Sequence, residues 1–484
     1  MLSQKAQRTT PLQRAIIAAL LGFVAIGAGA RDVPKGAWPA YRDRLHATPV
    51  QYTAQGCEPI TGGRRCQYDL VSQTWPENDP AATAWHHRVT IYQPDGDASG
   101  TPLLVINNGT LQGNGKDPAR PPSDMDDALL SEVATTTHRA VVSVGDAPNQ
   151  YLTLAGDVPR KEDDLVAATW VRSMRTTEST LPLHVPMAAA ATRAMDLATS
   201  ELKLPANTRF IVTGSSKRAW AAWLTTVGDD RIAAIVPYVI AMHIQPLIEH
   251  IQKVYGGDYP IALLPYQKQG IGPDVYRSPA FAWLMHIEDP YTYLDGPSRR
   301  RLAVPKYLVN ASGDDFFPPD ATDLYVDDLP GSTTLRVAPN SDHGGIRNAV
   351  HDTLLPFLVR WDKHVPLPRV NTTTVHRDGK AVLSIALSET PVSATVWHAV
   401  NPASRDFRYA CGIRYQSTPL DAGKRELEVT EETPDTGWGA TFVEFRFADG
   451  FIATTPVSIL PEGSYPTTPP ANGPGACLVI PPTP

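Results

Sequence analysis

The chain alternates between stretches with different hydrophobic periods. Lys5, Arg8 and Arg14 precede an uncharged, mostly apolar run from Ala15 to Ala30 that ends in Ala28-Gly29-Ala30. The run is shorter than the ~20 residues a spanning helix needs, and its small-x-small ending predicts a secretory signal peptide over residues 1–30. No later stretch is apolar and long enough to span a membrane. Beyond it, Trp85–Tyr92 alternates and stops at the turn Pro94-Asp95-Gly96. Short apolar runs then recur at Leu103–Ile106, Ala140–Val144, Arg209–Thr213, Ile232–Ile240, Lys306–Ala311 and Thr334–Ala338. Between them, Glu162–Arg175, Pro186–Leu202 and Trp220–Thr225 carry helical spacing. Buried strands alternating with helices predict an α/β fold: a mostly parallel sheet with helices on both faces.

The texture changes twice. Residues 241–304 are rich in Tyr, Pro and His, with an amphipathic patch at Ile244–Tyr255, and read as a cap-like insertion over a site. From Pro366 the segments Ala381–Leu387, Ser393–Ala399, Asp406–Tyr415, Arg425–Val429 and Thr441–Phe447 are short and rich in β-branched and aromatic residues. They predict a small C-terminal antiparallel β-sandwich over 366–484, ending in a Pro-rich tail. Residues 31–100 read as an N-terminal strand extension of the core at 101–365.

Composition narrows the function. Charged residues are 19% and the formal net charge is −7. Loss of residues 1–30 removes three basic residues and leaves 40 basic against 50 acidic, a net −10. Without a basic stripe interleaved with aromatics, nucleic acid is not an expected partner. The four cysteines favour disulfides in an exported chain. Cys57 and Cys66 flank Thr61-Gly62-Gly63 and should close a hairpin; Cys411 and Cys477 should staple the C-terminal region. Their spacing does not suit zinc, so no metal site is expected.

The chemistry concentrates in Phe210-Ile-Val-Thr-Gly214-Ser215-Ser216-Lys217-Arg218-Ala219-Trp220. A strand, a sharp turn and a helix start are the context of a nucleophile elbow, with Ser216 exposed at the strand end. Gly214 stands at −2, but Arg218 replaces the second Gly of the usual Gly-x-Ser-x-Gly. A late strand ends in Gly313-Asp314-Asp315, and the last strand ends in Asp342-His343-Gly344. The order Ser216, Asp314, His343 is that of α/β-hydrolase triads. Asp315 is the alternative acid. The Lys217 N–H and, from the loop Asn107-Asn108-Gly109-Thr110, that of Asn108 are the expected oxyanion donors. Such chemistry needs no metal or organic cofactor. Other features read as structural. Gly113-Asn114-Gly115-Lys116-Asp117 lacks the residues of a true P-loop. His86 and His87 point to opposite faces of a strand. His243 and His250 read as core or surface, Trp223 as core, and Glu162-Asp163-Asp164 as an acidic helix start.

Motifs along the chain resemble one family. They are Ser72-Gln73-Thr74-Trp75, Pro148-Asn149-Gln150, Pro186-Met187, Ala194-Met195-Asp196, Ser216-Lys217-Arg218-Ala219-Trp220, Asp289-Pro290-Tyr291 and Gly313-Asp314-Asp315-Phe316-Phe317. They are similar to the PhoPQ-activated pathogenicity-related proteins over roughly residues 50–460. The resemblance implies an α/β-hydrolase-like core with an appended β-domain, in exported bacterial proteins linked to virulence and resistance to host defence peptides. It also implies Arg218 as a family trait, with Ala219 where the family carries Gly. The expected function is a periplasmic or secreted serine hydrolase cleaving an ester or amide bond, possibly in a peptide. The alternative is a non-catalytic protein that binds a peptide or glycan on the same scaffold.

Overall fold

The computed structural model describes residues 36–113, 117–377 and 380–483. The expected signal peptide and the centre of the P-loop-like fragment lie outside the described residues. Nine strands form the main sheet: β1 (Gln51–Ile60), β2 (Gly63–Trp75), β3 (Thr83–Pro94), β4 (Leu103–Ile106), β5 (Val141–Val144), β6 (Phe210–Ser215), β7 (Ile232–Tyr238), β8 (Lys306–Ala311) and β9 (Thr333–Ala338). Their order is β1-β2-β3-β5-β4-β6-β7-β8-β9. β1, β2 and β3 pair antiparallel, and β3 meets β5 antiparallel. From β5 to β9 every pair is parallel. This is the α/β-hydrolase fold expected from the sequence.

The parallel strands are buried on both faces because helices cover both. Alternate residues of one strand enter different cores. Leu104 and Ile106 pack with residues of α4 (His184–Glu201) and α5 (Lys217–Gly228), which follow α1 (Ala37–His46), α2 (Asp127–Thr136) and α3 (Glu162–Thr176) along the chain. Leu103 and Val105 pack with Leu130 and Val133 of α2 (Asp127–Thr136) and with Leu354 and Phe357 of a late helix, His351–Asp362. The period-2 geometry of a strand is enough to produce this division.

At the N-terminal edge, Cys57 lies directly opposite Cys66 in the β1–β2 register, and the two form a disulfide. Gly62 turns the chain between the strands at φ 77°, a region that favours glycine. At the other end, Val370–Arg377, Lys380–Leu387 and Glu426–Glu432 form a three-stranded antiparallel sheet. Ser393–Asn401 and Trp438–Arg446 are central in a second antiparallel sheet. This part is tied to the main sheet: the Tyr307 hydroxyl of β8 donates to the Ile452 carbonyl, and the Val337 N–H of β9 donates to Thr454 Oγ1 at 3.1 Å.

One expected strand is absent. Asp406–Tyr415 is a loop containing a short 3₁₀ turn at Tyr409–Cys411. Its polar residues are used locally. Asp406 accepts from the Arg408 N–H and guanidinium, and Arg408 Nη1 donates to the carbonyls of Ala476 and Leu478 at 2.7 and 2.9 Å. The Cys411–Cys477 disulfide closes the same corner. The tail then runs on to pair Val479–Ile480 antiparallel with Tyr259–Pro260 in the 241–304 segment.

Candidate active site

β6 delivers Ser216 at the start of α5 with φ 57° and ψ −126°, a strained combination for a residue with a side chain. The turn is tight on its inner side. A Cβ at Gly214 would come within 2.8 Å of the Arg218 backbone. The strain is held by the β6–β7 ladder, in which the Ser216 N–H donates to the Tyr238 carbonyl at 2.9 Å.

The loops after β8 and β9 bring the other two residues to this turn. His343 Nε2 lies 2.8 Å from Ser216 Oγ. The other ring nitrogen, Nδ1, lies 3.0 and 2.9 Å from the two oxygens of Asp314. Asp314 is itself fixed: its Oδ1 accepts the N–H groups of Phe316 and Phe317 at 2.8 and 3.2 Å. The Phe316 ring packs on His343 with centroids 4.6 Å apart. Asp314, rather than Asp315, therefore meets the imidazole. Burial and the neighbouring Asp314 charge push the Asp315 carboxyl up to about 6. Burial alone would lower the His343 pKa, but the charge and hydrogen bond of Asp314 outweigh it and raise it above 6.5.

Lys217 is the first residue of α5, so its N–H has no acceptor within the helix and lies beside the serine. The Asn108 N–H is engaged in its own loop, donating to Asn107 Oδ1 at 3.0 Å, which corrects the expectation of an oxyanion donor at that position. The Asn108 side chain organises the next segment by accepting the N–H groups of Ser123 and Asp124.

Below the turn lies a charge cluster that the helix-start reading of Glu162-Asp163-Asp164 missed. Arg218 is buried, and its Nη2 donates to Glu162 Oε1 at 2.7 Å while its Nε donates to the Ala147 carbonyl. Lys217 Nζ reaches Glu162 and Asp163 at 2.9 and 3.2 Å. Burial would raise the Glu162 pKa, but the two cations hold it well below the ordinary carboxylate range. Gln150 completes the arrangement by donating to the Gly109 carbonyl and to Glu162. The sequence signal was present in the adjacent charges of Lys217 and Arg218, which cannot both be solvated at a buried helix start.

A narrow, largely apolar cavity of about 80 Å³ opens beside Ser216. Trp170, Trp220, Phe316 and Phe317 form part of its wall, and the 241–304 segment contributes much of the rest through α6 (Ile244–Val254) and the residues after it. Asp289 anchors α6, its carboxylate accepting the N–H groups of His243 and Ile244 at 3.1 and 2.7 Å. His184 also lines the cavity; it stacks on Trp220 and is hydrogen-bonded to buried Glu288. Sequence reasoning did not single out His184 or Glu288.

His86, His87, His243 and His250 lie elsewhere. His243 stacks on Tyr291, and His250 is bonded to Asp320 at 3.0 Å. His87 is buried between Ser72 and the Gly145 carbonyl, whereas His86 faces Asp69 on the other side of β3. Trp223 is core.

The family model of the PhoPQ-activated pathogenicity-related proteins matches residues 39–408. The chain belongs to this family. A relative in Dictyostelium discoideum, autocrine proliferation repressor protein A, is 29% identical over 407 residues, covering 78% of this chain and 79% of that protein. Solved structures of similar fold include an acetyl xylan esterase from Paenibacillus sp. R4, with a TM-score of 0.47 and 13% identity over 67% of this chain and 94% of that one. Acetyl xylan esterase 1 from Thermoanaerobacterium sp. JW/SL YS485 gives 0.43 and 10% over 63% and 86%. No helix among the described residues is long and apolar enough to cross a membrane.

Proposed function

We propose that this family member is an exported serine hydrolase cleaving an ester or amide bond in a small molecule or peptide. One observation carries the reading. His343 Nε2 stands 2.8 Å from Ser216 Oγ while Asp314 holds the opposite ring nitrogen. That relay is the geometry by which a serine becomes a nucleophile.

Ser216 Oγ attacks the carbonyl carbon as its proton passes to His343 Nε2. The tetrahedral oxyanion forms at the α5 N-terminus, where the Lys217 N–H supports it. The bond to the leaving group breaks as the imidazolium returns the proton to it. Water repeats the sequence on the acyl-serine, releasing the acid and restoring Ser216. Asp314 keeps the Nδ1–H tautomer and stabilises the imidazolium. Export is supported by the two disulfides, which suit an oxidising compartment.

Arg218, which replaces the second Gly of the usual elbow, is the residue that would speak for a non-catalytic scaffold. Its place is explained by Glu162 and Ala147 beneath the turn, and Gly214 still gives the turn its room. The test is turnover of 4-nitrophenyl butyrate. Ser216→Ala and His343→Ala should each lose at least about 10³-fold in kcat. Turnover by Ser216→Ala at the wild-type rate would refute the assignment.

A further inference from the structure

We propose that the cavity beside Ser216 binds an unbranched aliphatic chain longer than acetyl, making esters or amides of medium-chain carboxylic acids the substrate class. The proposal rests on the hydrolase reading and adds to it the identity of the acyl arm.

The lining carries the argument. Ile244, Leu247, Ile248 and Ile251 recur at i, i+3, i+4 and i+7 on α6, and this stripe faces the cavity. Leu263 and Ile271 extend the same apolar surface. Ile248 and Leu263 are only partly buried, so their surface is still available to a ligand.

The polar groups nearby are mostly taken. Lys217 Nζ is paired with Glu162 and Asp163, and Asp163 also accepts from the Tyr266 hydroxyl at 3.2 Å. A sugar or a charged side chain entering here would leave its polar atoms unpartnered, a costly outcome against an apolar wall. The exception is His184 Nε2, buried and without a partner on the cavity wall. A buried polar atom of this kind marks a place where a bound molecule or water belongs. The wall therefore offers one hydrogen-bonding position on an otherwise greasy surface.

Fluorophosphonates with methyl, butyl, octyl and hexadecyl arms test this directly, because they need an activated serine but no complete turnover. The second-order inactivation rate should rise about fourfold per methylene from methyl to butyl, the equivalent of ~0.8 kcal/mol per buried CH₂. It should be highest with butyl or octyl and fall with hexadecyl. Ile248→Trp and Leu263→Trp, each checked for an unchanged melting temperature, should lower the octyl-to-methyl ratio at least tenfold. A rate that is flat or falls from methyl to octyl would overturn the proposal and leave the hydrolase reading intact. A rise that both tryptophan variants preserve would overturn the assignment to this cavity. Failure of every probe to react with Ser216 would overturn the hydrolase reading and the proposal with it.

Discussion

Arg218 Nη2 and Glu162 Oε1 lie 2.7 Å apart beneath the serine turn, joining the helix that carries the nucleophile to the helix that begins at Glu162. Arg218 stands where most hydrolase elbows have glycine, and here the position has become a brace. Glu162→Gln leaves two buried cations with one fewer anion. Its expected effect is a stability loss of about 3 kcal/mol, read as a lower midpoint in chemical denaturation. Arg218→Gly, which restores the common motif, should lower stability rather than raise activity.

Asp314 and Asp315 are neighbours with opposite expected phenotypes. Asp314→Asn removes the acceptor that fixes the His343 tautomer, and kcat should fall about 10³–10⁴-fold. Asp315 holds its proton to about pH 6, and its Oδ1 is buried without a partner. Asp315→Asn should keep kcat within about threefold of wild type. Side-by-side ester kinetics separate the two.

The pH profile follows from His343. The base must be neutral to accept the serine proton, and Asp314 raises its pKa above 6.5 despite burial. kcat/KM should therefore rise with pH and reach half its maximum above 6.5. In Asp314→Asn the residual activity should reach its midpoint at a lower pH, because the opposing charge is gone.

Glu431 makes a stability prediction far from the site. Burial pushes its carboxyl up to about 7, although the hydroxyls of Ser458 and Thr441 act against this. The folded protein then keeps a proton that the unfolded chain gives up near its ordinary 4.5. Folding stability falls as pH rises from about 4.5 to 7, and the loss persists above that. Glu431→Gln should match wild type at pH 4 and exceed it at pH 8 by about 3 kcal/mol. Denaturation midpoints at the two pH values check this.

The two disulfides should differ in weight. Cys411 and Cys477 are separated by 66 residues and Cys57 and Cys66 by 9. Loop entropy assigns about 4 kcal/mol to the first and about 2–3 to the second. The Cys411–Cys477 link also sits next to the tail, whose Leu478 carbonyl accepts the Ile261 N–H and whose Thr483 N–H donates to Gln267. Replacing both cysteines of this pair by serine should lower the melting temperature more than the same change at Cys57 and Cys66.

The parallel strands were legible because burial on both faces writes them as short apolar runs: Leu103–Ile106 and Lys306–Ala311 were placed to the residue. Ser216, Asp314 and His343 were legible because each follows such a run. The helices Asp127–Thr136 and His351–Asp362 were missed, since each shows only a narrow apolar stripe to the sheet. Asp406–Tyr415 misled because Phe407 and Tyr415 look like strand residues, whereas the Asp406–Arg408 pair and the disulfide decide the local path. The pairing of Arg218 with Glu162 joins positions 56 residues apart, which single-segment patterns do not register.

The most direct measurement is the intact mass of the purified protein after fluorophosphonate treatment, for wild type, Ser216→Ala and His343→Ala. A serine activated by His343 predicts one added phosphonate on wild type, none on Ser216→Ala, and a rate lowered at least about 10³-fold on His343→Ala. Folded wild type that gains no mass, or Ser216→Ala that gains the same mass as wild type, would contradict the account.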